Sequence, residues 1–300
     1  MAQFGKVLTA MVTPFNESGD LDLVVASGLA QWLLANGNDG LVIAGTTGES
    51  PTLTHDEQTS LIAAVVNAVD APVIAGAGSN DTRAAIELTQ KADQAGATAI
   101  LSVTPYYNRP SQAGLLDHFS AIAGATDLPI VLYDIPIRSG RKIETETLLE
   151  LAHTIDNIVA LKDAAGDPAE TANFLSQAPE GFEVYSGDDS LTLPLMAIGA
   201  VGVVGVATHW TGPEHQRMVS AIESGELEEA QKINALLQKS FSYESTLEAP
   251  NPIPAKVMMR LLGFKVGRGR PPMDSIPDDL QSYAEKVLAE TEIGKNIGIG

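Results

Sequence analysis

Eight short apolar runs separated by stretches of helical periodicity, with polar residues clustered just after the runs, predict an α/β chain. The pattern of strand, loop and helix repeats at roughly 20 to 35 residues, which suits a closed (β/α)8 TIM barrel carrying a small C-terminal helical appendage. An open doubly wound sheet would use fewer strands and usually place a glycine-rich phosphate turn after the first one.

The runs are Val7 to Val12, Gly40 to Ala44, Pro72 to Ala75, Ala99 to Val103, Pro129 to Tyr133, Ile158 to Leu161, Phe182 to Tyr185 and Val201 to Val206. They are continuous rather than alternating, as expected of parallel strands covered on both faces. Between the second and third runs, Thr54 and Glu57 have capping-box spacing ahead of a stripe of Leu61, Ile62, Val65, Val66 and Val69. That spacing predicts a helix starting at residue 55. After the sixth run, Asp167 stands where it would cap a helix with Pro168 first and Glu170 third. Beyond Thr208 no strand pattern returns, and Glu226 to Gln238, Ala255 to Leu262 and Asp278 to Glu290 read as helices. The expected division is a barrel over residues 1–225 and a helical region over 226–300. Asn251-Pro252-Ile253-Pro254 reads as a rigid extended connector between two of those helices. The glycine-containing tail, Ile293 to Gly300, reads as loosely ordered.

Composition narrows the function. Eighteen basic residues against 38 acidic ones give a formal charge of −20, which repels nucleic acid and anionic lipid. Lys265, Arg268 and Arg270 form too short a cluster to reverse that field and read as a solvated loop with structural ion pairs. The chain contains no cysteine, which removes disulfides, thiolate metal sites and cysteine nucleophiles and fits a reducing compartment. With no apolar run of signal-peptide or membrane-spanning length, the expectation is a cytoplasmic protein without a membrane partner. His55, His118, His153, His209 and His215 show no metal-ligand spacing and read as surface or packing residues. Asp188-Asp189 can hold a divalent ion or cap the next helix, the latter being the commoner use. Gly76-Ala77-Gly78 lacks the third glycine of a dinucleotide fingerprint. No cofactor and no metal are expected.

In a barrel the catalytic face is built at the C-terminal ends of the strands and from the loops that leave them. Lys162, at the end of the sixth run, is either a salt-bridge partner or an amine kept partly neutral for chemistry. Gly45-Thr46-Thr47-Gly48 either cradles a small anion or forms a plain turn. Tyr133 either shuttles protons or packs its ring. Arg138 either grips a carboxylate or pairs with an acidic neighbour. Taken together, one strand-end lysine, phenols, a hydroxyl pair and an arginine without metal or nucleotide motifs suit carbonyl chemistry through a Schiff base.

The motifs AMVTPF (10–15), GTTGES (45–50), AGAGSN (75–80), VTPYYNRPSQAGL (103–115), YDIPIRSG (133–140), LKDAAGD (161–167), SGDD (186–189) and PNPIPAK (250–256) occur in one order along nearly the whole chain. In this the chain resembles the pyruvate-dependent class I aldolase superfamily, most closely its dihydrodipicolinate synthase family. The resemblance implies a lyase condensing pyruvate with L-aspartate-4-semialdehyde in lysine and diaminopimelate biosynthesis. A different aldolase, acting on a 2-keto-3-deoxy sugar acid or N-acetylneuraminate, is the alternative.

The resemblance also implies roles. Lys162 would form the imine, and Tyr133, Thr46 and Tyr107, the last from a neighbouring subunit, would relay protons. Thr47 would hold the pyruvate carboxylate with the Gly187 and Val204 backbone, and Arg138 the carboxylate of the second substrate. A homotetramer built as a dimer of dimers is implied as well. Ser50, His55, Asn80 and Tyr106 match the family's lysine-binding allosteric site, whereas Pro51, Gln58 and Ala84 depart from the enteric pattern. Loss of an acidic partner for the ligand's amine there predicts weak or absent lysine feedback.

Overall fold

In the computed structural model, which describes residues 2–298, eight strands close into a parallel barrel in chain order. They are β1 (Val7–Ala10), β2 (Gly40–Ile43), β3 (Val73–Gly76), β4 (Ala99–Val103), β5 (Ile130–Asp134), β6 (Ile158–Asp163), β7 (Glu183–Ser186) and β8 (Gly202–Gly205). Closure comes from pairing of β1 with β8, where Leu8 faces Val204 in register. Each of the eight apolar runs supplies one strand.

The helices are α1 (Leu23–Ala35), α2 (His55–Ala68), α3 (Thr82–Gln94), α4 (Gln112–Ala123), α5 (Pro136–Ser139), α6 (Thr145–Thr154), α7 (Pro168–Leu175), α8 (Thr192–Ala197), α9 (Thr208–Glu223), α10 (Leu227–Tyr243), α11 (Ile253–Leu261), α12 (Leu280–Leu288) and α13 (Glu292–Asn296). Local chemistry starts two of them as expected. Thr54 and Glu57 make both halves of a capping box at α2, and Asp167 accepts from the Ala169 and Glu170 amides ahead of Pro168 at α7. Leu61, Ile62 and Val65 of α2 are buried against the sheet, each contributing roughly 1.5–3 kcal/mol.

Strand alternation divides the apolar residues into two cores. Leu8, Ala10, Val42, Ile74, Ala99, Leu101, Val131, Tyr133, Ala160, Tyr185 and Val204 fill the lumen, while Leu41, Ile43, Leu132, Leu161 and Val203 face the helices. This arrangement decides which strand-end residues reach the barrel mouth. Tyr133 comes two residues after Val131 and Lys162 two after Ala160, so both lie on the lumen side.

Two expectations need correction. The Asn251 to Pro254 segment is no extended connector throughout, because α11 begins at Ile253 with Pro254 in its first turn. A proline's missing N–H costs nothing there, since no intrahelical acceptor awaits it. The expected loose tail instead contains α13, capped by Thr291 and anchored by buried Ile293; residues 299 and 300 lie outside the described residues. Trp210 of α9 ties the C-terminal helices to the barrel by donating to Ser240 Oγ and stacking edge-on against Tyr243. No helix among the described residues is long and apolar enough to cross a membrane.

Candidate active site

Lys162 and Tyr133 are register partners on adjacent strands, and Lys162 Nζ lies 4.4 Å from the centre of the Tyr133 ring. Lys162 is only 5% exposed. Among the described residues it makes no ion pair, although the chain carries 38 carboxylates. The salt-bridge alternative for this lysine is thereby removed. Gly187 borders the lysine stem so closely that a Cβ there would come within 3.0 Å of Lys162 Cγ and Cε. The Gly187 N–H already donates to the Asp163 carbonyl at 2.7 Å, so what it offers a ligand is space rather than that proton. Val204 is buried in the lumen core.

The residues next in sequence face outward and fix the two strand ends. Asp134 accepts from the Ile143 amide and lies 3.5 Å from Lys142 Nζ; Asp163 accepts from Thr171 Oγ1 and the Ala165 amide. Burial pushes the Asp134 carboxyl up to about 6 against the opposing pull of Lys142 and the Ile143 amide. Sequence reasoning assigned no role to this outer network.

The loop after β2 is held in a tight turn. Ala44 and Glu49, both with φ of 57°, bracket Gly45 to Gly48, and such left-handed residues cost about 1–3 kcal/mol unless neighbours enforce them. Ser50 N–H donates to the Gly45 carbonyl, Glu49 N–H to that of Thr46, and Thr13 Oγ1 to that of Gly48. Among the described residues, neither the Thr46 nor the Thr47 N–H donates to another group of the chain, which leaves two donors for an anion. Thr47 is buried and its Oγ1 accepts from Asn251 Nδ2 at 3.0 Å.

The C-terminal region reinforces the loop. Glu49 Oε1 pairs with Lys256 Nζ at 2.6 Å, both side chains buried, and Glu49 Oε2 accepts from the Arg270 amide. Lys256 also lies over the Phe15 ring and donates to the Arg268 carbonyl. Burial brings the Lys256 ammonium down to about 8 despite Glu49. Arg270 pairs with Glu57, holding that carboxyl down at about 2, so this arginine makes the structural ion pair expected of its cluster, though from a half-buried rather than a solvated position. Asn251 and Lys256 stand within the PNPIPAK motif, but their roles depend on partners about two hundred residues away. A lysine among the buried residues Ala255, Val257 and Met258 was the available signal.

A cleft of about 340 Å³ at the barrel mouth is lined by Thr46, Ser50, Pro51, Tyr106, Arg138 and Asn251, among others. Arg138 is exposed at the end of α5 and, among the described residues, makes no ion pair. Of the expected catalytic and substrate-binding residues only Thr46 and Arg138 line the cleft: Lys162, Tyr133 and Thr47 are buried outside its lining, and Tyr107 is 91% exposed with φ of 73°. His55 and Asn80 also lie outside the cleft lining, His55 being 3.8 Å from Glu87 and Asn80 donating to the Tyr106 carbonyl.

The other polar candidates turn structural. Asp188 caps the short turn at Ser190. Asp189 is buried, accepts from the Val206 amide and faces His215 at 3.6 Å. His118, His209 and His215 are buried rather than on the surface.

A closed parallel barrel with an unpaired, buried lysine beside a tyrosine at its mouth suits the Schiff-base chemistry of a lyase of the class I aldolase superfamily. The family model described as the dihydrodipicolinate synthetase family matches residues 3–291, and the chain belongs to that family. The 4-hydroxy-tetrahydrodipicolinate synthase of Moorella thermoacetica is 47% identical over 291 residues, covering 96% of this chain and 99% of that protein. The crystal structure of the Cyanidioschyzon merolae enzyme with lysine bound superposes with a TM-score of 0.94 at 44% identity, covering 97% and 99% of the two chains. Dihydrodipicolinate synthase from Bacillus anthracis gives a TM-score of 0.92 at 44% identity, covering 96% and 98%.

Proposed function

We propose that this protein condenses pyruvate with L-aspartate-4-semialdehyde to give 4-hydroxy-tetrahydrodipicolinate, with Lys162 as the imine-forming amine. The observation that carries the reading is the buried Lys162, free of any carboxylate among the described residues and seated against Tyr133. Membership of the family supplies the substrates.

The neutral Lys162 amine attacks the keto carbon of pyruvate, and loss of water gives the imine. Protonated, that imine draws electrons from the neighbouring methyl carbon, which loses a proton and becomes an enamine nucleophile. The enamine attacks the aldehyde carbon of the second substrate, and the resulting alkoxide takes up a proton. The semialdehyde's amino group then attacks the iminium carbon, closing the ring and releasing Lys162. Tyr133, Thr46 and Tyr107 relay the protons in this account. The free Thr46 and Thr47 amides, with the Thr47 hydroxyl, suit the pyruvate carboxylate, with Gly187 and Val204 shaping the space beside it. Arg138, unpaired at the rim, suits the carboxylate of the second substrate.

Tyr107 stands outside its own barrel's cleft lining with its ring in the open, which favours its serving a neighbouring subunit. A homotetramer arranged as a dimer of dimers, in the cytoplasm, fits that role. Residues 1–225 would form the catalytic barrel and 226–300 the helical region that braces it. Borohydride reduction in the presence of pyruvate tests the reading: mass mapping should place a pyruvate adduct on Lys162. A coupled assay with the semialdehyde should show turnover that sugar-acid aldehydes do not support.

A further inference from the structure

We propose that Asn251 is a positioning residue for Thr47: by donating to the Thr47 hydroxyl it turns that hydroxyl's own proton into the barrel mouth, making Thr47 a donor to the keto acid's carboxylate. The proposal rests on the reading that Thr47 receives that carboxylate.

A threonine hydroxyl both donates and accepts, so its direction depends on its neighbours. Left alone in a loop, it tends to donate to a nearby backbone carbonyl, and a proton spent that way is lost to a ligand. Thr47 Oγ1 instead accepts from Asn251 Nδ2 at 3.0 Å, and an amide NH2 can only donate. The polarity of the bond is therefore settled by the amide, and the Thr47 proton must point elsewhere.

Asn251 is held for this task. Its backbone N–H donates to Ser245 Oγ, and the chain enters α11 two residues later. From that helix Lys256 reaches back to Glu49, two residues beyond Thr47. The turn is thus gripped at two points from one distant element. Asn251 also lines the cleft with Thr46 and Arg138, while its Oδ1 is buried without a partner.

The test uses the full-length protein and reads the pyruvate concentration that half-saturates borohydride trapping, measured by intact mass. Replacing Asn251 with Ala should raise it about tenfold, the effect of losing one hydrogen bond to a charged group. The kcat at saturating substrates should change less than about threefold, because the interaction serves binding rather than the chemical step. The Asn251→Asp variant should raise half-saturation further, since a carboxylate accepts the Thr47 proton instead of donating. In a Thr47→Val background, Asn251→Ala should have no additional effect, because the hydroxyl it directs is gone.

Each variant is first shown to melt within a few degrees of wild type; should Asn251→Asp not fold, the Asn251→Ala and Thr47→Val pair decides alone. Half-saturation within about twofold of wild type for the folded Asn251 variants, or full additivity with Thr47→Val, would overturn the proposal. A wild-type protein that forms no adduct would sink the keto-acid reading and the proposal together. A wild-type adduct with indifferent Asn251 variants would sink the proposal alone.

Discussion

Tyr133 and Lys162 stand opposite each other in the β5–β6 ladder, with the lysine nitrogen 4.4 Å from the tyrosine ring centre. The phenol is therefore close enough to serve groups attached to that nitrogen. Replacing Tyr133 with Phe keeps the ring and removes the proton. We expect kcat to fall by about 10²- to 10⁴-fold, the usual weight of a positioned acid-base group, with thermal stability nearly unchanged. Steady-state kinetics beside a melting curve checks this; a loss below fivefold would remove Tyr133 from the proton relay.

The buried Glu49–Lys256 pair supports a strained turn, so breaking it one-sidedly should be costly. A Lys256→Met substitution leaves Glu49 buried without its cation, and urea unfolding should show a loss of about 3–5 kcal/mol. Combining it with Glu49→Gln removes the stranded charge and should restore more than half of the loss. A single variant as stable as wild type would show that the pair does not hold the loop.

Lysine feedback is expected to be weak. Gln58 spends its amide on the Ser50 carbonyl, and position 84 offers only an alanine. Glu87, one turn further along α3, approaches His55 but is already paired with Lys91 at 3.1 Å. Among the described residues, Glu49, Asp56, Glu57 and Glu87 near Ser50 and His55 are each already paired with a lysine or arginine, so none stands ready for a ligand's ammonium. Inhibition assays should find less than half-inhibition at submillimolar lysine; half-inhibition in that range would contradict the expectation.

His209 should make the fold acid-sensitive. Its Nε2 accepts from the Val12 amide and its Nδ1 lies 2.8 Å from the Val206 carbonyl, a pair of contacts that suits the neutral ring. Burial brings its pKa from 6.5 down to about 4. Between those pH values the unfolded chain binds the proton and the folded one does not, so stability falls as pH falls, by about 3 kcal/mol over the window. Asp134, raised to about 6 from 3.8, acts in the opposite sense below pH 6, so the difference between wild type and His209→Gln isolates the ring. Urea melts from pH 7 to 4 should show the variant gaining stability relative to wild type as pH falls; a difference that stays constant with pH would contradict the assignment.

Much of the fold was legible because it is local. The strand runs, the Thr54–Glu57 box and the Asp167-Pro168 helix start are contained within a few residues, and each formed as read. Placing Lys162 and Tyr133 on one side of the sheet needs only the two-residue period of a strand. The clamp on the GTTGES turn was not legible, since Thr47 and Asn251 are separated by 204 residues and meet only through the finished fold. At Ile253-Pro254 local reasoning chose wrongly, because two prolines suit an extended segment and a helix's first turn equally well. What distinguishes them is the burial of Lys256 and its neighbours one turn later.

The most direct measurement is borohydride trapping with isotopically labelled pyruvate, compared between wild type and Lys162→Ala. Wild type should gain one pyruvate-derived adduct per chain, on the peptide containing Lys162, and the folded variant none. An adduct on another lysine, or one that persists in Lys162→Ala, would contradict the account.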